Sequence, residues 1–398
     1  MSHNPPVEDW AKDFDHTDEA WVADPFPIWD ELRRGCPVAH SDRYGGVWLP
    51  TRHDDVSAIA YDTDNFTSRS VIVTNHRSPD LSPRGMAPPI SSDPPFHQGA
   101  RRILLPAFAP KAIAHLEPVT RAYCEELVAG LRDQQVVEAA VGYAQHIPVR
   151  VIATMLGFPR EDADKFRGFV DHVLEDVTAP FEQRIVGMQS LFGYLQVQVE
   201  DHIAHPRDDL TSQLLAAEMD GQRIDMAHVA GTIALLLLAG IDTTWSAIGA
   251  SLWHLAGHPD DRERLVSEPQ LLPTAMEELL RAYAPVTMAR LVRRDMQWHG
   301  CPMKADDWIL LSFPAANRDP AAFEAADEVV IDRQINRHSA FGLGIHRCVG
   351  SHLARMELRV ALEVWLEAFP TFHLADPDAV VWAGGQVRGP RRLPVRIG

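Results

Sequence analysis

The sequence predicts a mainly α-helical protein with small β-sheets, organised as one large domain around a long central helix. Amphipathic helical patterns follow one another from Asp93 to about Ala217. Asp225 is then placed to cap a helix that runs to about Gly257, roughly 48 Å long at 1.5 Å per residue. Short strands are predicted within residues 290–313 and 380–397, so the β part is minor. No internal repeat or low-complexity linker divides residues 1–398.

The N-terminal part is predicted to combine short elements with one long loop. Residues 24–27 precede a short helix that Gly35 stops. Residues 46–49 have the pattern of a strand, and residues 52–61 that of a helix. Residues 69–92 contain four prolines and little periodicity, so they form a long loop, and such loops are often lids or binding segments.

Two further amphipathic helices are predicted in the central region. They cover Glu117–Leu131 and Glu182–Ile203. Pro118 is compatible with the first of them because a helix tolerates proline in its first turn.

Composition and charge exclude several classes of protein. The formal net charge of −18 argues against nucleic acid or an anionic membrane as a main partner. The four cysteines are far apart, without a CxxC pair, and fit reduced thiols in the cytoplasm. The stretch from Met1 to Asp15 lacks the features of a signal peptide, and the apolar run Val229–Ile241 is shorter than the roughly 20 residues of a membrane helix. We therefore expect a soluble, cytoplasmic protein without a membrane anchor.

A single cysteine lies in a glycine-rich loop near the C-terminus. Residues 341–350 read FGLGIHRCVG, and an amphipathic helix is predicted to begin near Ser351. Unpaired N–H groups and the dipole at the start of that helix favour a thiolate at Cys348. The glycines let the backbone approach a flat partner closely. The pattern favours a ligand to a large planar metal cofactor over the alternative, a buried structural cysteine before a helix.

The long helix carries polar residues in its apolar centre. Residues 239–244 read AGIDTT, and an acid with two hydroxyls is costly there unless it is paired. The Thr243 hydroxyl can bond the carbonyl near Ala239 and Gly240 weakens the same turn, so we expect a local groove with a polar pair at its lip. The alternative is purely structural: Thr243 bonds back to the helix, and Asp242 forms a buried salt bridge.

The chain resembles the bacterial cytochrome P-450 family of haem-thiolate monooxygenases over nearly all of its length. The resemblance rests on three segments and on the order in which they follow one another. Residues 341–350 match the family's cysteine-ligand loop, and residues 239–244 match its oxygen-activation motif. Residues 278–281, ELLR, match its Glu-x-x-Arg helix, whose i,i+3 spacing places both side chains on one face. The resemblance implies the cytochrome P-450 fold, with haem b as cofactor, O₂ as co-substrate and the long helix crossing the haem.

The resemblance also implies which residues hold the haem. Cys348 is the expected iron ligand, and His97 and Arg101, at i and i+4 on one helix face, are expected to bind the haem propionates. The full set expected to contact the cofactor is Cys348, His97, Arg101, Arg290, His346, Phe341, Gly342, Gly350, Ala239 and Gly240. A buried structural network is expected from Glu278, Arg281 and Arg333.

The implied reaction inserts one oxygen atom of O₂ into a small or medium-sized hydrophobic substrate by hydroxylation, epoxidation or O-dealkylation. The thiolate of Cys348 donates electron density to the iron, Thr243 hydrogen-bonds O₂, and Asp242 relays protons from solvent. Besides the 70–92 loop, the residues expected to line an apolar substrate pocket are Leu235, Leu236, Ala239, Val286, Thr287 and Met288.

Electrons are expected to come from a ferredoxin and a ferredoxin reductase, because the chain ends soon after residues 393–395 and shows no fused reductase. Arg102 and Arg347 are candidate contacts for an acidic ferredoxin, with a merely solvated basic surface as an equal alternative. Two other functions stay open: a non-catalytic haem-thiolate protein that binds gas or ligand, and a peroxide-driven oxygenase of the same fold. The Asp242–Thr243 pair favours the monooxygenase, since binding alone needs no proton relay.

Overall fold

The computed structural model describes residues 4–36, 38–171, 173 and 181–398. Helices form about half of this part of the chain, and small sheets pack beside them. The helices are α1 (Glu19–Ala23), α2 (Phe26–Gly35), α3 (His53–Tyr61), α4 (Phe96–Leu104), α5 (Pro110–Ala114), α6 (Glu117–Leu131), α7 (His146–Leu156), α8 (Ala163–Val170), α9 (Phe181–Ala204), α10 (Leu210–Ala216), α11 (Met226–Gly257), α12 (Pro259–Ser267), α13 (Leu272–Ala282), α14 (Phe313–Ala316) and α15 (Ser351–Ala368).

The strands are short and most lie in the C-terminal half. They are β1 (Val38–Ser41), β2 (Val47–Pro50), β3 (Phe66–Thr67), β4 (Val136–Glu138), β5 (Glu218–Met219), β6 (Gln222–Arg223), β7 (Met288–Val292), β8 (Met296–Trp298), β9 (Cys301–Met303), β10 (Trp308–Leu311), β11 (Phe372–Leu374), β12 (Val381–Ala383), β13 (Gly389–Arg392) and β14 (Pro394–Ile397).

Helix α11 is the centre of the structure. The Asp225 side chain accepts a hydrogen bond from the His228 backbone N–H at 2.7 Å, which caps the first turn as predicted. The helix packs against α7, α9, α15 and β13. By length and composition α11 alone, within the described residues, meets the requirements of a membrane span, and 56% of its most apolar 18-residue window is buried in the protein.

Most predicted elements are found at their expected places. The helices predicted over 52–61, Glu117–Leu131 and Glu182–Ile203 correspond to α3, α6 and α9. The predicted strand at 46–49 corresponds to β2, and residues 69–92 contain no helix or strand. The mainly α class with small sheets is therefore confirmed.

The largest sheet has five strands in the order β1-β2-β10-β7-β3. Strand β10 pairs parallel with β2 and antiparallel with β7, which places Arg290 opposite Ile309. A separate hairpin, β12–β13, lies against α11, and its turn reaches back to the start of β7 through the bridge Val286–Val387. The five-stranded sheet and the turn of the β12–β13 hairpin thus bring segments that are distant in sequence to β7 and to the residues just before it.

Three apolar clusters of described residues hold these elements together, and two of them fix the position of α11 and of the N-terminal helices. The larger one surrounds α11 and α15 and contains fully buried side chains such as Trp365 and Tyr143. The second joins the N-terminal helices to the five-stranded sheet around Trp29 and Trp308. Burial of such large side chains contributes roughly 1.5–3 kcal/mol each, so the packing around α11 fixes the position of its polar residues.

Candidate functional site

The cysteine loop is a tight turn fixed by backbone contacts. The Cys348 N–H donates to the Phe341 carbonyl at 2.7 Å, and the Gly342 N–H donates to the Ser339 carbonyl at 2.8 Å. Gly342 and Gly344 have φ values of 69° and 67°. A Cβ at Gly344 would lie 2.5 Å from the Ala60 carbonyl oxygen, so the loop can lie against α3 only with glycine there.

Gly344→Ala is therefore expected to destabilise the protein. The alanine would occupy a left-handed conformation, which costs about 1–3 kcal/mol, and would also collide with α3. The matched control is Gly130→Ala, an exposed helical site with nothing within 4 Å, where alanine is expected to stabilise by about 0.5–1 kcal/mol. Urea unfolding of the two variants measures both changes; equal stability of the two would contradict this account of the loop.

Cys348 lies in an enclosed but accessible position. Its side chain is exposed by surface area, whereas burial raises the pKa of its thiol. The sulfur therefore has free space beside it while protein surrounds it on its other sides. We take Cys348 to face an internal space. A Gly350 backbone N–H and the charges of Arg101 and Arg347 favour the thiolate against this burial.

A second layer of side chains supports the loop. Arg355 donates to both carboxylate oxygens of Glu277, at 2.6 and 2.7 Å, and its guanidinium carbon lies 4.3 Å from the centre of the Phe341 ring. His338 contacts the same carboxylate at 3.0 Å. Phe341 is thus held by a bidentate ion pair between α13 and α15, an arrangement that the sequence did not predict.

The four predicted propionate ligands come together. The rings of His97 and His346 lie 4.5 Å apart. Burial and the positive charges of Arg101 and Arg290 lower the pKa of both histidines. Burial and the nearby Arg101 lower the pKa of His97 to about 4. Burial also lowers the pKa of Arg290 to about 10, with Asp93 opposing the shift. Burying like charges together is costly unless an anion joins them.

This cluster fits the haem that the resemblance implies. Both ring nitrogens of the buried His97 lack a hydrogen-bond partner in the structure. Arg290 is 4% exposed, and its guanidinium donates a hydrogen bond to the neighbouring Ala289 carbonyl at 2.7 Å. Arg101 influences the pKa of Cys348 as well as those of His97 and His346, so the thiol and the cluster border the same space. A cofactor with two carboxylates and a metal that binds sulfur suits this arrangement.

One face of α11 borders an internal space. Ala239 is exposed and Leu235 and Thr243 are partly exposed, although the helix around them is buried. These three residues are spaced by four positions and so form one row along the helix. Such exposure in the middle of a core helix means that the row lines a cavity.

The polar pair in α11 has partners within the protein. The Thr243 hydroxyl donates to the Ala239 carbonyl at 2.7 Å. The fully buried Asp242 carboxylate accepts from Arg391 at 2.5 Å and from the Ser246 hydroxyl at 3.4 Å. These are the contacts of the purely structural alternative, in which Thr243 bonds back to the helix and Asp242 forms a buried salt bridge. Thr243 nevertheless lies on the cavity row. A chemical role for the pair stays a prediction.

The expected opening of the helix at Gly240 is corrected by the structure. Helix α11 is continuous from Met226 to Gly257. A Cβ at Gly240 would lie 3.3 Å from Ile152, so this glycine allows α7 to pack closely against α11. Gly240 therefore affects how closely the two helices pack and does not open α11, because buried contacts on both sides keep the helix regular.

The predicted pocket residues divide into two groups. Leu235, Val286 and Met288 are partly exposed, and Ala239 is exposed. Leu236 is 6% exposed within the main core, and the Thr287 hydroxyl contacts the carbonyls of the β12–β13 turn at 3.3 Å. The expectation that Leu236 and Thr287 line the pocket is therefore corrected: both side chains are used in internal packing. Residue type alone did not distinguish neighbouring faces of α11.

The predicted charge network is present, with Glu278 and Arg281 fully buried and Arg333 partly exposed beside them. Arg281 donates to both Glu278 oxygens at 2.8 Å, and Arg333 donates to the same carboxylate at 2.9 Å. Arg281 also binds the backbone carbonyls of residues 317, 326 and 328. Burial acts to raise the pKa of Glu278, but the hydrogen bonds from Arg281 and the Val330 N–H outweigh it and hold that pKa below its ordinary value.

Three polar residues near the site were missed from the sequence. Ser68 contacts His346 at 2.8 Å, and Asn336 donates to Glu278 at 3.0 Å. Burial raises the pKa of Glu357 to about 8, and the nearby Thr244 side chain opposes this shift. For Ser68 and Asn336 no pattern was available, whereas Glu357 on the buried face of α15 was visible as an acid at an apolar helical position.

Comparison with known proteins relates this geometry to one family. The cytochrome P-450 family model matches residues 149–379. The mycinamicin IV hydroxylase/epoxidase of Micromonospora griseorubida is 33% identical over 375 residues, 92% of this chain and 94% of the relative. The vitamin D(3) 25-hydroxylase of Pseudonocardia autotrophica is 34% identical over 382 residues, 94% of each chain. The solved structure of the Bacillus subtilis bacillaene polyketide synthase cytochrome PksS superimposes with a TM-score of 0.87 at 29% identity, covering 97% of this chain and all of that one.

Proposed function

Because the chain belongs to the cytochrome P-450 family, we propose that it hydroxylates or epoxidises a hydrophobic organic molecule with Cys348 as iron ligand. Family membership makes the protein a haem b monooxygenase that uses O₂. When bound, the haem supplies the oxidising chemistry, and a thiolate ligand favours cleavage of the O–O bond. One observation supports the assignment of residues: His346, two residues before Cys348 in the same loop, lies with its ring 4.5 Å from that of His97, so one cofactor can engage both the thiol and the histidine cluster.

The protein's own residues supply position and protons. Arg101, Arg290 and the two histidines would bind the propionates through charge-assisted hydrogen bonds. Thr243 on the cavity row would turn its hydroxyl from the Ala239 carbonyl toward O₂. Asp242, in the same turn, would pass protons from solvent. Leu235 and Ala239 would exclude water and contact an apolar substrate.

The proposed substrate is an apolar molecule of small or medium size. The row on α11 offers Leu235, Ala239 and Thr243, and the segment at the start of β7 offers the partly exposed Val286 and Met288. Relatives named for oxidation of mycinamicin IV and vitamin D(3) support this chemical class. A few polar groups in a mainly apolar pocket orient such ligands.

A ferredoxin and its reductase are the proposed electron donors. Arg102 and Arg347 are exposed, and Arg347 acts on the pKa of Cys348, so positive charge lies on the cysteine side of the site. Such charge would steer an acidic partner toward that side even though the whole chain is acidic. We further propose that the chain works in the cytoplasm as a single haem domain, which its unpaired cysteines support.

Reconstitution tests the proposed function. Compounds that shift the purified ferric protein toward high spin would be incubated with a surrogate ferredoxin, its reductase and O₂, and products identified by mass spectrometry. A product containing one ¹⁸O atom from ¹⁸O₂ is expected. Binding without product would favour a ligand-binding protein, and product only with hydrogen peroxide would favour a peroxide-driven oxygenase.

Thr243→Ala is expected to uncouple electron use from product formation. Without the hydroxyl on the cavity row, proton delivery to O₂ fails and much of the consumed reductant appears as hydrogen peroxide; product per electron should fall roughly 10-fold or more, since a positioned proton donor contributes about 10²–10⁴-fold. The ratio of product to NAD(P)H oxidised measures the change. Ser251→Ala is the matched control, because Ser251 bonds the Ala247 carbonyl at 2.8 Å in the same helix but is buried away from the row. Equal coupling in both variants would remove the role assigned to Thr243.

A further inference from the structure

The buried acid of α11 is held by a residue from the C-terminal hairpin. Arg391 on β13 donates to Asp242 at 2.5 Å and to the Ser246 hydroxyl at 3.0 Å. Its guanidinium carbon also lies 4.1 Å from the centre of the Trp245 ring. Three side chains within two turns of α11 therefore fix the arginine, whose own side chain is 13% exposed. The Asp242 carboxylate points toward β13, while the cavity row lies on the neighbouring face.

The backbone of the hairpin is seated closely on the helix. A Cβ at Gly249 would lie 2.8 Å from Pro390, and a Cβ at Gly389 would lie 2.3 Å from the Ser246 side chain. Glycine on each element thus permits an approach that a side chain would block. Arg391 is consequently held by its strand as well as by its ion pair, and differs from an exposed arginine with a mobile side chain.

The same hairpin also borders the proposed pocket wall. Its turn bonds β7 through the Thr287 N–H and the Gln386 carbonyl at 2.9 Å, and the Arg388 N–H donates to the Pro285 carbonyl at 2.7 Å. Residues that contact the wall and the residue that holds Asp242 therefore belong to one short segment, 384–391. A shift of this segment would move both the pocket wall and the side chain that holds Asp242.

Building on the proposed function, we propose that Arg391 is the positioning residue for proton delivery by Asp242. Its guanidinium is a counter-charge for the fully buried Asp242 carboxylate, and because it is fixed it sets the direction of that carboxylate relative to Thr243. Without it, the buried acid would take up a proton or turn away, and the relay would lose its geometry. Arg391 itself touches neither substrate nor oxygen in this account.

The overall reactions show how to isolate this role. With reductase, RH + O₂ + 2e⁻ + 2H⁺ gives ROH + H₂O, so the protein must deliver two protons. With peroxide, RH + H₂O₂ gives ROH + H₂O, and the oxidant already carries the two electrons and two protons. A residue that acts only through proton delivery should affect the first route and spare the second.

The test compares both routes in Arg391→Met and Arg391→Lys holoenzyme. Arg391→Met is expected to slow O₂-driven product formation on the order of 10-fold to 100-fold and to raise its solvent isotope effect, since misplacement of a reacting group by about 1 Å can cost about 100-fold. Its H₂O₂-driven rate should stay within about 2-fold. Arg391→Lys retains a cation and should recover most of the O₂-driven rate.

A double-mutant cycle and a control variant make the test decisive. In the Asp242→Asn background, Arg391→Met should cause no further slowing, because the two residues act as one unit. Arg388→Met is the control: Arg388 lies on the same segment but donates to the carbonyls of Val22 and Ala23 at 3.1 and 3.0 Å. It should change both routes by the same factor.

Two outcomes would overturn the proposal. Arg391→Met could slow both routes equally, as Arg388→Met does, which would make Arg391 a purely structural residue. It could also slow the Asp242→Asn variant as much as the wild type, which would remove the link between the two residues. Absence of product from the wild type with either oxidant would instead refute the proposed function, so the two failures are distinguishable.

Discussion

Replacing Cys348 with histidine is expected to abolish the strongly red-shifted absorption band of the reduced, carbon-monoxide-bound protein. A neutral imidazole ligand donates less electron density to the iron than a thiolate does, so O₂-driven turnover should fall by at least about 1,000-fold, equivalent to about 4 kcal/mol. No neighbouring residue of the loop can easily replace Cys348 as iron ligand, because the loop backbone is fixed at Phe341 and Gly344. A difference spectrum of the dithionite-reduced protein with and without carbon monoxide measures the first effect.

Cys301→Ser is the matched control for this substitution. Cys301 is a partly buried free thiol on β9, outside the set of residues around Cys348. The control should keep both the red-shifted band and turnover. Persistence of the band in Cys348→His would mean that another residue binds the iron, and the assignment of the loop would fail.

Glu278→Gln is expected to prevent normal folding. Glutamine retains the shape of the side chain but leaves the buried Arg281 and the adjoining Arg333 without their shared counter-charge. Breaking a buried ion pair from one side costs about 3–5 kcal/mol, a large part of the roughly 5–15 kcal/mol that stabilises a typical domain. Soluble yield and haem content per polypeptide should both fall severely, and thermal unfolding of any recovered protein should begin at lower temperature.

Glu363→Gln tests whether burial causes this sensitivity. Glu363 also contacts two arginines, Arg121 and Arg359, but it is about one quarter exposed. Because water screens this pair, the substitution should change the free energy of unfolding by less than about 1 kcal/mol. Comparable losses in the two variants would contradict the special role of the Glu278 network.

Local sequence patterns were sufficient for the main helices, whereas the grouping of the charged ligands needed the family resemblance. The capping aspartate and the apolar length of α11 gave its bounds closely, because such signals lie within one element. His97 and Arg101 share helix α4, but Arg290 and His346 come from two other segments, and the grouping of the four followed from the family resemblance. Helical periodicity cannot provide that information, because it describes one element at a time.

The parts that the sequence did not reveal depend on contacts between distant segments. Arg391 is separated from Asp242 by 149 positions, and nothing in the spacing of either residue indicates the other. The Arg355–Glu277 pair behind Phe341 has the same character. Gly240 looked like a weak point in a helix, whereas in the structure it gives room to Ile152 on α7. Which neighbour a helix face meets is decided by tertiary packing.

The depressed pKa of His97 links cofactor uptake to acidity. An unfolded histidine titrates near pH 6.5, and the folded value of about 4 means that the unfolded chain binds more protons between these two pH values. Apoprotein stability should therefore decrease as the medium is acidified across that window. Carboxylates docking beside the ring would restore its basicity and cancel the loss, so the holo form should tolerate mild acid that unfolds the apo form.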